Sequence, residues 1–145
     1  MALTSTGSAH WEGDLMNGSG TAALSTGVAG PLPLSWNART EDHGGLTSPE
    51  ELIAAAHAAC FSMALSHSLA QAGHPAESID TEATATFGRT DDGFRILSMA
   101  LTTVGTVPGM SAEDFAAAAE GAKEGCPVSQ ALKGNVEITL EARLA

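Results

Sequence analysis

Thr47-Ser48-Pro49-Glu50-Glu51-Leu52-Ile53-Ala54-Ala55-Ala56-His57-Ala58-Ala59-Cys60-Phe61-Ser62-Met63-Ala64-Leu65 is the stretch that predicts a long helix, around which the rest of the chain is arranged. Ser48 is placed to cap this helix, Pro49 suits its first position, and Glu51 is placed as the return partner of a capping box. No helix-breaking residue follows until Gly73, which is a suitable C-terminal stop. The predicted helix therefore has about 24 residues and a length of about 36 Å.

The faces of this helix are unusual, because between Leu52 and Leu65 only His57 and Ser62 carry polar side chains. A helix that is apolar nearly all round is typically buried. A single domain of this size has difficulty covering such a helix on every side. We therefore expect the remaining face to pack on its equivalent in a second copy, as an intertwined two-fold dimer. The alternative is a monomer whose own sheets wrap the helix.

The composition is that of an acidic globular chain. It has 145 residues, the usual size of one domain, and 43% of them are apolar. The formal net charge is −11, from 17 acidic and 6 basic residues, which argues against nucleic acids and anionic membranes as partners. The chain shows no unbroken 18-residue apolar run and no signal-peptide pattern, so we expect a soluble, cytoplasmic protein.

Alternation of apolar and polar residues predicts strands on both sides of the long helix. The predicted strands are Ala9–Leu15, Thr21–Ser25, Leu34–Thr40, Ile79–Arg89, Phe94–Val107 and Asn135–Leu144. Two further helices are predicted at Ala112–Glu124 and Pro127–Leu132. Runs of strands beside a few helices indicate an α+β fold. No linker divides the chain, so we expect one domain over residues 1–145.

Cys60 and Cys126 are the only cysteines. Because structural disulfides are rare in cytosolic proteins, two thiols suggest redox or metal chemistry. Cys60 lies in the apolar helix, where the simpler interpretation is a small buried residue. Cys126 directly precedes Pro127, at the N-cap of a short helix whose dipole and free N–H groups favour a thiolate. Since a thiol condenses with a sulfenic acid to a disulfide, the pair can act as attacking and resolving thiols.

Arg39 and Glu50 are further candidates. Arg39 is most simply a solvated strand residue, but near Cys60 it would favour the thiolate and polarise a peroxide oxygen. Glu50 is most simply a first-turn residue favoured by the helix dipole, and the capping box leaves it free. Ten positions separate Glu50 from Cys60, or about 15 Å of axial rise. Both therefore serve one site only if the helix breaks or if the glutamate comes from the partner subunit.

His57 precedes Cys60 by three positions and lies on nearly the same helix face. A Cys–His pair can activate a thiol, although a buried histidine with a backbone partner is the simpler interpretation. The other histidines show no metal-ligand spacing: His10, His43, His67 and His74. We expect neither a metal nor an organic cofactor.

With these residues named, the chain resembles the OsmC/Ohr family of thiol-dependent peroxidases, and more closely its OsmC branch. The segments that carry the resemblance are Trp11–Leu15, Arg39–Glu41, Thr47–Leu65 and Cys126–Ser129. The helical segment is highly specific, and the order of elements matches over nearly the whole chain. The resemblance implies an intertwined homodimer with two antiparallel six-stranded sheets around two long central helices, and two active sites at the interface.

The resemblance also implies the residue roles and the reaction. It places the peroxidatic thiol on Cys60 and the resolving thiol on Cys126, the thiolate-orienting arginine on Arg39 and its carboxylate on Glu50. It implies reduction of organic hydroperoxides, and less well of hydrogen peroxide, through a Cys60–Cys126 disulfide. An external dithiol, either a lipoyl-type protein or a small thiol, would then reduce the disulfide.

A different class of function remains open on the residues alone. The chain also suits a binding module for apolar small molecules, in which both thiols are inert. A metal-binding protein ranks third, because two distant thiols and scattered histidines offer no recognisable ligand set.

Overall fold

The computed structural model describes residues Met1–Ala145. Its strands are β1 (Gly7–Glu12), β2 (Ser19–Leu24), β3 (Leu32–Ser35), β4 (Ser78–Thr90), β5 (Gly93–Thr106) and β6 (Glu137–Leu144). Its helices are α1 (Trp36–Thr40), α2 (Pro49–Gln71), α3 (Ala112–Gly125) and α4 (Pro127–Leu132). The chain forms two compact units, Met1–Leu52 and Ile53–Ala145.

The first unit contains a three-stranded antiparallel sheet in the order β1-β2-β3. Trp11 on β1 pairs with Gly20 on β2, and a Cβ atom at Gly20 would lie 2.8 Å from the indole ring. Glycine at this position therefore lets the Trp11 ring lie against the sheet. β1 ends at Glu12 rather than at the predicted Leu15, because the Asp14 carboxylate accepts backbone hydrogen bonds and closes a turn.

The predicted third strand, Leu34–Thr40, is wrong over most of its length. β3 ends at Ser35, whose hydroxyl oxygen accepts a hydrogen bond from the Ala38 backbone N–H at 3.0 Å and caps α1. A serine that caps a helix competes with the strand ladder for the backbone that follows it. Arg39 consequently lies on a short helix and not on a strand.

The helix α2 is uninterrupted from Pro49 to Gln71. The Ser48 hydroxyl oxygen accepts a hydrogen bond from the Glu51 backbone N–H at 3.1 Å, which confirms the predicted cap. The Glu51 carboxylate accepts a hydrogen bond from the Thr47 hydroxyl, so its partner is not the one predicted for a capping box. Gly73, with φ of 82°, stops the helix as predicted.

The chain itself covers only one face of α2. The covered face is fully buried and consists of His57, Phe61, Leu65 and Leu69. The opposite face is exposed and apolar, and is formed by Ala55, Ala56, Ala59 and Met63. By length and composition α2 resembles a membrane span. One of its faces packs into the hydrophobic core.

The second unit contains a three-stranded sheet in the order β4-β5-β6. β4 and β5 form an antiparallel hairpin that turns before Gly93. β6 is parallel to β5, so the expectation of a purely antiparallel sheet is wrong here. The reason is the crossover through α3 and α4, which returns the chain to the end of the sheet where β5 began.

The core of the second unit lies between α2, α3 and this sheet. Its members are Phe61, Leu65, Leu69, Leu101, Val107, Phe115, Ala119, Ala122 and Cys126. A Cβ atom at Gly105 would lie 2.5 Å from the Phe115 ring, so glycine on β5 allows α3 to approach the sheet. Because Cys126 belongs to this core, the start of α4 is held beside α2, where Cys60 packs against the same cluster.

Candidate active site

The two cysteines, far apart in the sequence, meet in the second unit. Cys60 lies in the middle of α2 and is half-buried, whereas Cys126 lies between α3 and α4 and is fully buried. Both are free thiols, Cys60 packs against the core cluster that contains Cys126, and hydrogen bonding between the two thiols shifts their pKa values in opposite directions. This contact provides the proximity that a disulfide between them requires.

The surroundings of Cys126 favour its thiolate form. Burial alone raises the pKa of this thiol, but several hydrogen bonds to the sulfur outweigh it and lower the pKa below its usual value. The donors are the Ser129 backbone N–H, the Cys60 thiol, the Ser129 hydroxyl and the Val128 backbone N–H. Both backbone N–H groups belong to the first turn of α4, and the lowered pKa has the direction predicted for this N-cap position, although the Cys126 side chain makes no capping hydrogen bond.

Cys60 is affected in the opposite direction. Burial raises its pKa, and the hydrogen bond that it donates to Cys126 raises the pKa further, against a smaller effect of the Val128 backbone N–H. Of the two thiols, Cys126 therefore loses its proton the more readily. Cys60 needs a base or a cation to become an attacking thiolate.

Arg39 and Glu50 form an ion pair in the first unit. Arg39 Nη2 donates to Glu50 Oε1 at 2.7 Å, and Arg39 Nε donates to Oε1 at 3.0 Å and to Oε2 at 3.1 Å. The Glu50 side chain is only 7% exposed, and the guanidinium carbon lies 5.8 Å from the centroid of the Trp36 ring. The interpretations of Glu50 as a free carboxylate and of Arg39 as a solvated strand residue are both wrong.

A cavity of about 290 Å³ adjoins this ion pair within the first unit. Its lining is mostly apolar and consists of Trp11, Leu15, Leu34, Ser35, Trp36, Arg39 and Pro49. The Arg39 guanidinium is the only charged group in this lining. The cavity therefore suits an apolar molecule with one polar end.

His57 makes a contact that the sequence did not predict. Its Nε2 atom lies 2.7 Å from the Ser129 hydroxyl oxygen, and both side chains are buried. The expected backbone partner is therefore wrong, and Nδ1 has no hydrogen-bond partner. Burial lowers the pKa of His57, which favours the neutral ring. The available sequence signal for Ser129 was its place in the Cys126–Ser129 segment at the start of α4.

No group of three or more histidine, cysteine, aspartate or glutamate side chains is arranged to hold a metal ion.

Comparison with known proteins identifies the relatives of this chain. Residues 42–141 match the family described as OsmC-like protein. Peroxiredoxin OsmC of Escherichia coli (strain K12) is 49% identical over 144 residues, which cover 99% of both chains. The organic hydroperoxide resistance protein OhrB of Bacillus subtilis (strain 168) is 34% identical over 108 residues, covering 74% of this chain and 76% of that protein.

Solved structures show the same fold. The crystal structure of OhrB of Bacillus subtilis superposes with a TM-score of 0.79 at 25% identity, covering 97% of this chain and 98% of that chain. The structure of an organic hydroperoxide resistance protein OsmC from Legionella pneumophila gives a TM-score of 0.77 at 26% identity, covering 99% and 98%. These matches confirm the predicted α+β class. Together with the family match and the full-length relative, they show that this chain belongs to the OsmC-like family.

Proposed function

We propose that this chain is a cysteine-based peroxidase that reduces organic hydroperoxides, and less well hydrogen peroxide, to alcohols and water. Relatives named as a peroxiredoxin and as organic hydroperoxide resistance proteins support the enzyme class and the substrate class. The observation that carries the proposal is the contact between Cys60 and Cys126, the only two cysteines of the chain. A binding module with inert thiols would not need Cys60 and Cys126 to lie in contact.

In the first half-reaction, the Cys60 sulfur attacks the distal oxygen of the hydroperoxide. The O–O bond breaks, the sulfur keeps one oxygen as a sulfenic acid, and the remaining alkoxide leaves. In this step the Cys126 thiolate accepts the Cys60 proton, a role supported by the packing of the two cysteines in one cluster and by the lower pKa of Cys126. That proton then passes to the alkoxide, which leaves as an alcohol.

In the second half-reaction, the Cys126 thiolate attacks the Cys60 sulfur. The S–O bond breaks, hydroxide leaves and is protonated to water, and a Cys60–Cys126 disulfide forms. An external dithiol, either a lipoyl-type protein or a small thiol, reduces the disulfide by exchange and restores both thiols. The cycle uses neither a metal nor an organic cofactor.

We assign to Arg39 the role of stabilising the Cys60 thiolate and polarising the peroxide, and to Glu50 that of orienting the guanidinium. The three hydrogen bonds between them support this assignment, because they fix the plane of the guanidinium. The adjacent apolar cavity fits the organic part of a hydroperoxide. Since α2 does not break between Glu50 and Cys60, the proposed site combines the ion pair of one subunit with the thiols of its partner.

The active form in this proposal is a homodimer. The exposed apolar face of α2 supports it, because such a face is stabilised by packing on a second copy. Each chain then acts as one domain over residues 1–145 and adds its strands to two six-stranded sheets around two central helices. The proposed location is the cytoplasm, where thiols are kept reduced, and the proposed partners include neither nucleic acids nor membranes.

Replacing the attacking sulfur tests the proposed function. The Cys60→Ser variant should lose turnover of an alkyl hydroperoxide in the presence of a dithiol. A Cys60→Ser variant that retains turnover would contradict the proposal. The Ser62→Ala variant removes another polar side chain of α2, one that donates to Thr81, and serves as the matched control.

A further inference from the structure

We propose that His57 and Ser129 are positioning residues that direct a hydrogen bond onto the Cys126 sulfur and so keep the resolving thiol ready to attack. This inference rests on the proposed function, because it concerns the second half-reaction. It assigns a role to the buried contact between His57 and Ser129, which the reaction steps above do not use.

The two positioning residues and the thiol are brought together by α2 and α4: His57 lies on α2 and contacts Ser129, the third residue of α4, and Cys126 is the N-cap of that same helix. His57 Nε2 lies 2.7 Å from the Ser129 hydroxyl oxygen, and hydrogen bonding from the Ser129 side chain lowers the pKa of the Cys126 thiol. His57 and Cys126 are fully buried and Ser129 is nearly so. Because the hydroxyl is buried, its protein partners determine which way its proton points.

The unpartnered Nδ1 atom of His57 decides that direction. A buried N–H without an acceptor is rare in proteins, so we assign the ring proton to Nε2 and leave Nδ1 as a bare lone pair. Burial keeps the ring neutral, so Nε2–H is its only donor. Nε2–H then donates to the Ser129 oxygen, and the Ser129 proton is free to point at the Cys126 sulfur.

This orientation stabilises the reactive form of Cys126. A hydroxyl binds a thiolate more strongly than a neutral thiol, because hydrogen bonds to charged acceptors are the stronger ones. Attack on a sulfenic acid requires the thiolate. His57 thus acts on Cys126 through Ser129 and not on Cys60, although Cys60 is nearer to it in the sequence.

The other groups around Cys126 do not provide this effect. Among the groups that shift the pKa of Cys126, Cys60 is the only titratable one, and His57 on α2 contacts Ser129. The side chains of β6 that pack against the same cluster are apolar. The charged residues of the last turns of α3 are engaged in ion pairs: Lys123 with Glu120, and Glu124 with Lys133.

The test measures Cys126 as the only remaining thiol, in the full-length Cys60→Ser background. Absorbance of the thiolate against pH gives the pKa of Cys126. The Ser129→Ala and His57→Leu substitutions should each raise this pKa, whereas His57→Gln, whose amide N–H can replace Nε2–H, should raise it less than His57→Leu. The control Ser62→Ala should leave it unchanged.

An unchanged pKa of Cys126 in Ser129→Ala or in His57→Leu would overturn the inference, as would equal shifts in His57→Gln and His57→Leu. In the chain that keeps both cysteines, Ser129→Ala should slow disulfide formation about tenfold relative to sulfenic acid formation, the loss expected for one hydrogen bond to a charged group. Both steps are followed by rapid quenching and intact mass, and an unchanged ratio of the two rates would overturn the inference.

These results are distinguishable from a failure of the proposed function. If the wild-type chain forms no disulfide, the proposed function is contradicted, and the titration of Cys126 still tests the hydrogen-bond chain from His57.

Discussion

Arg39 and Glu50 are joined by three hydrogen bonds, the shortest of them 2.7 Å from Nη2 to Oε1. This arrangement fixes both the position and the plane of the guanidinium, which a lysine ammonium could not reproduce. Because the Glu50 side chain is nearly buried, removal of either partner leaves a charge without its compensation. The pair therefore holds a cation rigidly at the wall of an apolar cavity.

We expect Glu50→Gln to lower kcat/KM for tert-butyl hydroperoxide about a hundredfold, as loss of one oriented electrostatic contact typically does. The reason is that the guanidinium loses the carboxylate that orients it. Steady-state assays with excess dithiol measure the change. Glu51→Gln, on the next residue of the same helix turn, is the matched control, and an equal loss in both variants would contradict the assignment.

The Cys126→Ser variant should reduce one equivalent of hydroperoxide and then stop when no reductant is present. Its Cys60 sulfenic acid has no second thiol with which to condense. Intact mass should show a gain of one oxygen atom on Cys60 and no disulfide. Two results together would contradict this assignment: no sulfenic acid in Cys126→Ser, and oxidation of Cys126 in Cys60→Ser. They would make Cys126 the attacking thiol and Cys60 the resolving thiol.

The exposed face of α2 gives a test of the proposed dimer. Met63→Glu should raise the dimer dissociation constant about a hundredfold or more, because a carboxylate would be buried without a partner in an apolar interface. Sedimentation velocity measures the monomer fraction. Met16→Glu is matched in residue type and exposure, 69% against 68% for Met63, and should sediment as wild type does. A dimer unaffected by Met63→Glu would exclude this face as the interface.

Because His57 is buried, the free energy of unfolding should depend on pH. Its folded pKa lies below the unfolded value of about 6.5. The neutral ring therefore contributes stability that is fully present above about pH 6.5 and is lost as the pH falls through the folded pKa. Between about pH 7 and pH 5, the melting temperature of wild type should fall more than that of His57→Gln. His67→Gln, at an exposed position of α2, should follow wild type.

Much of α2 could be predicted because its signals are local. Ser48 caps it, Gly73 ends it, and both act within a few residues of their own position. The end of β3 could not be predicted in the same way. The residues that follow it alternate as a strand does, but the hydrogen bond that the Ala38 N–H donates to the Ser35 hydroxyl oxygen starts a helix there instead. The direction of β6 was also hidden, because alternation reports the faces of a strand and not its orientation in the sheet.

The candidate site was only partly visible in the sequence for a similar reason. The position of Cys126 before Pro127 is a local signal, and its thiolate-favouring environment followed from it. The partners of Glu50 and His57 depend on how distant segments pack. Ser129 belongs to the Cys126–Ser129 segment that carries the family resemblance, but nothing in the sequence indicates its contact with His57.

The most direct test of the central claim is an intact-mass titration of the wild-type thiols. One equivalent of an alkyl hydroperoxide is added to the fully reduced protein, remaining thiols are alkylated, and the mass of each chain is read. The account predicts that both thiols disappear together, with the loss of two hydrogen atoms and a Cys60–Cys126 link within one chain. Two thiols that remain free and alkylated after the peroxide is added would contradict it.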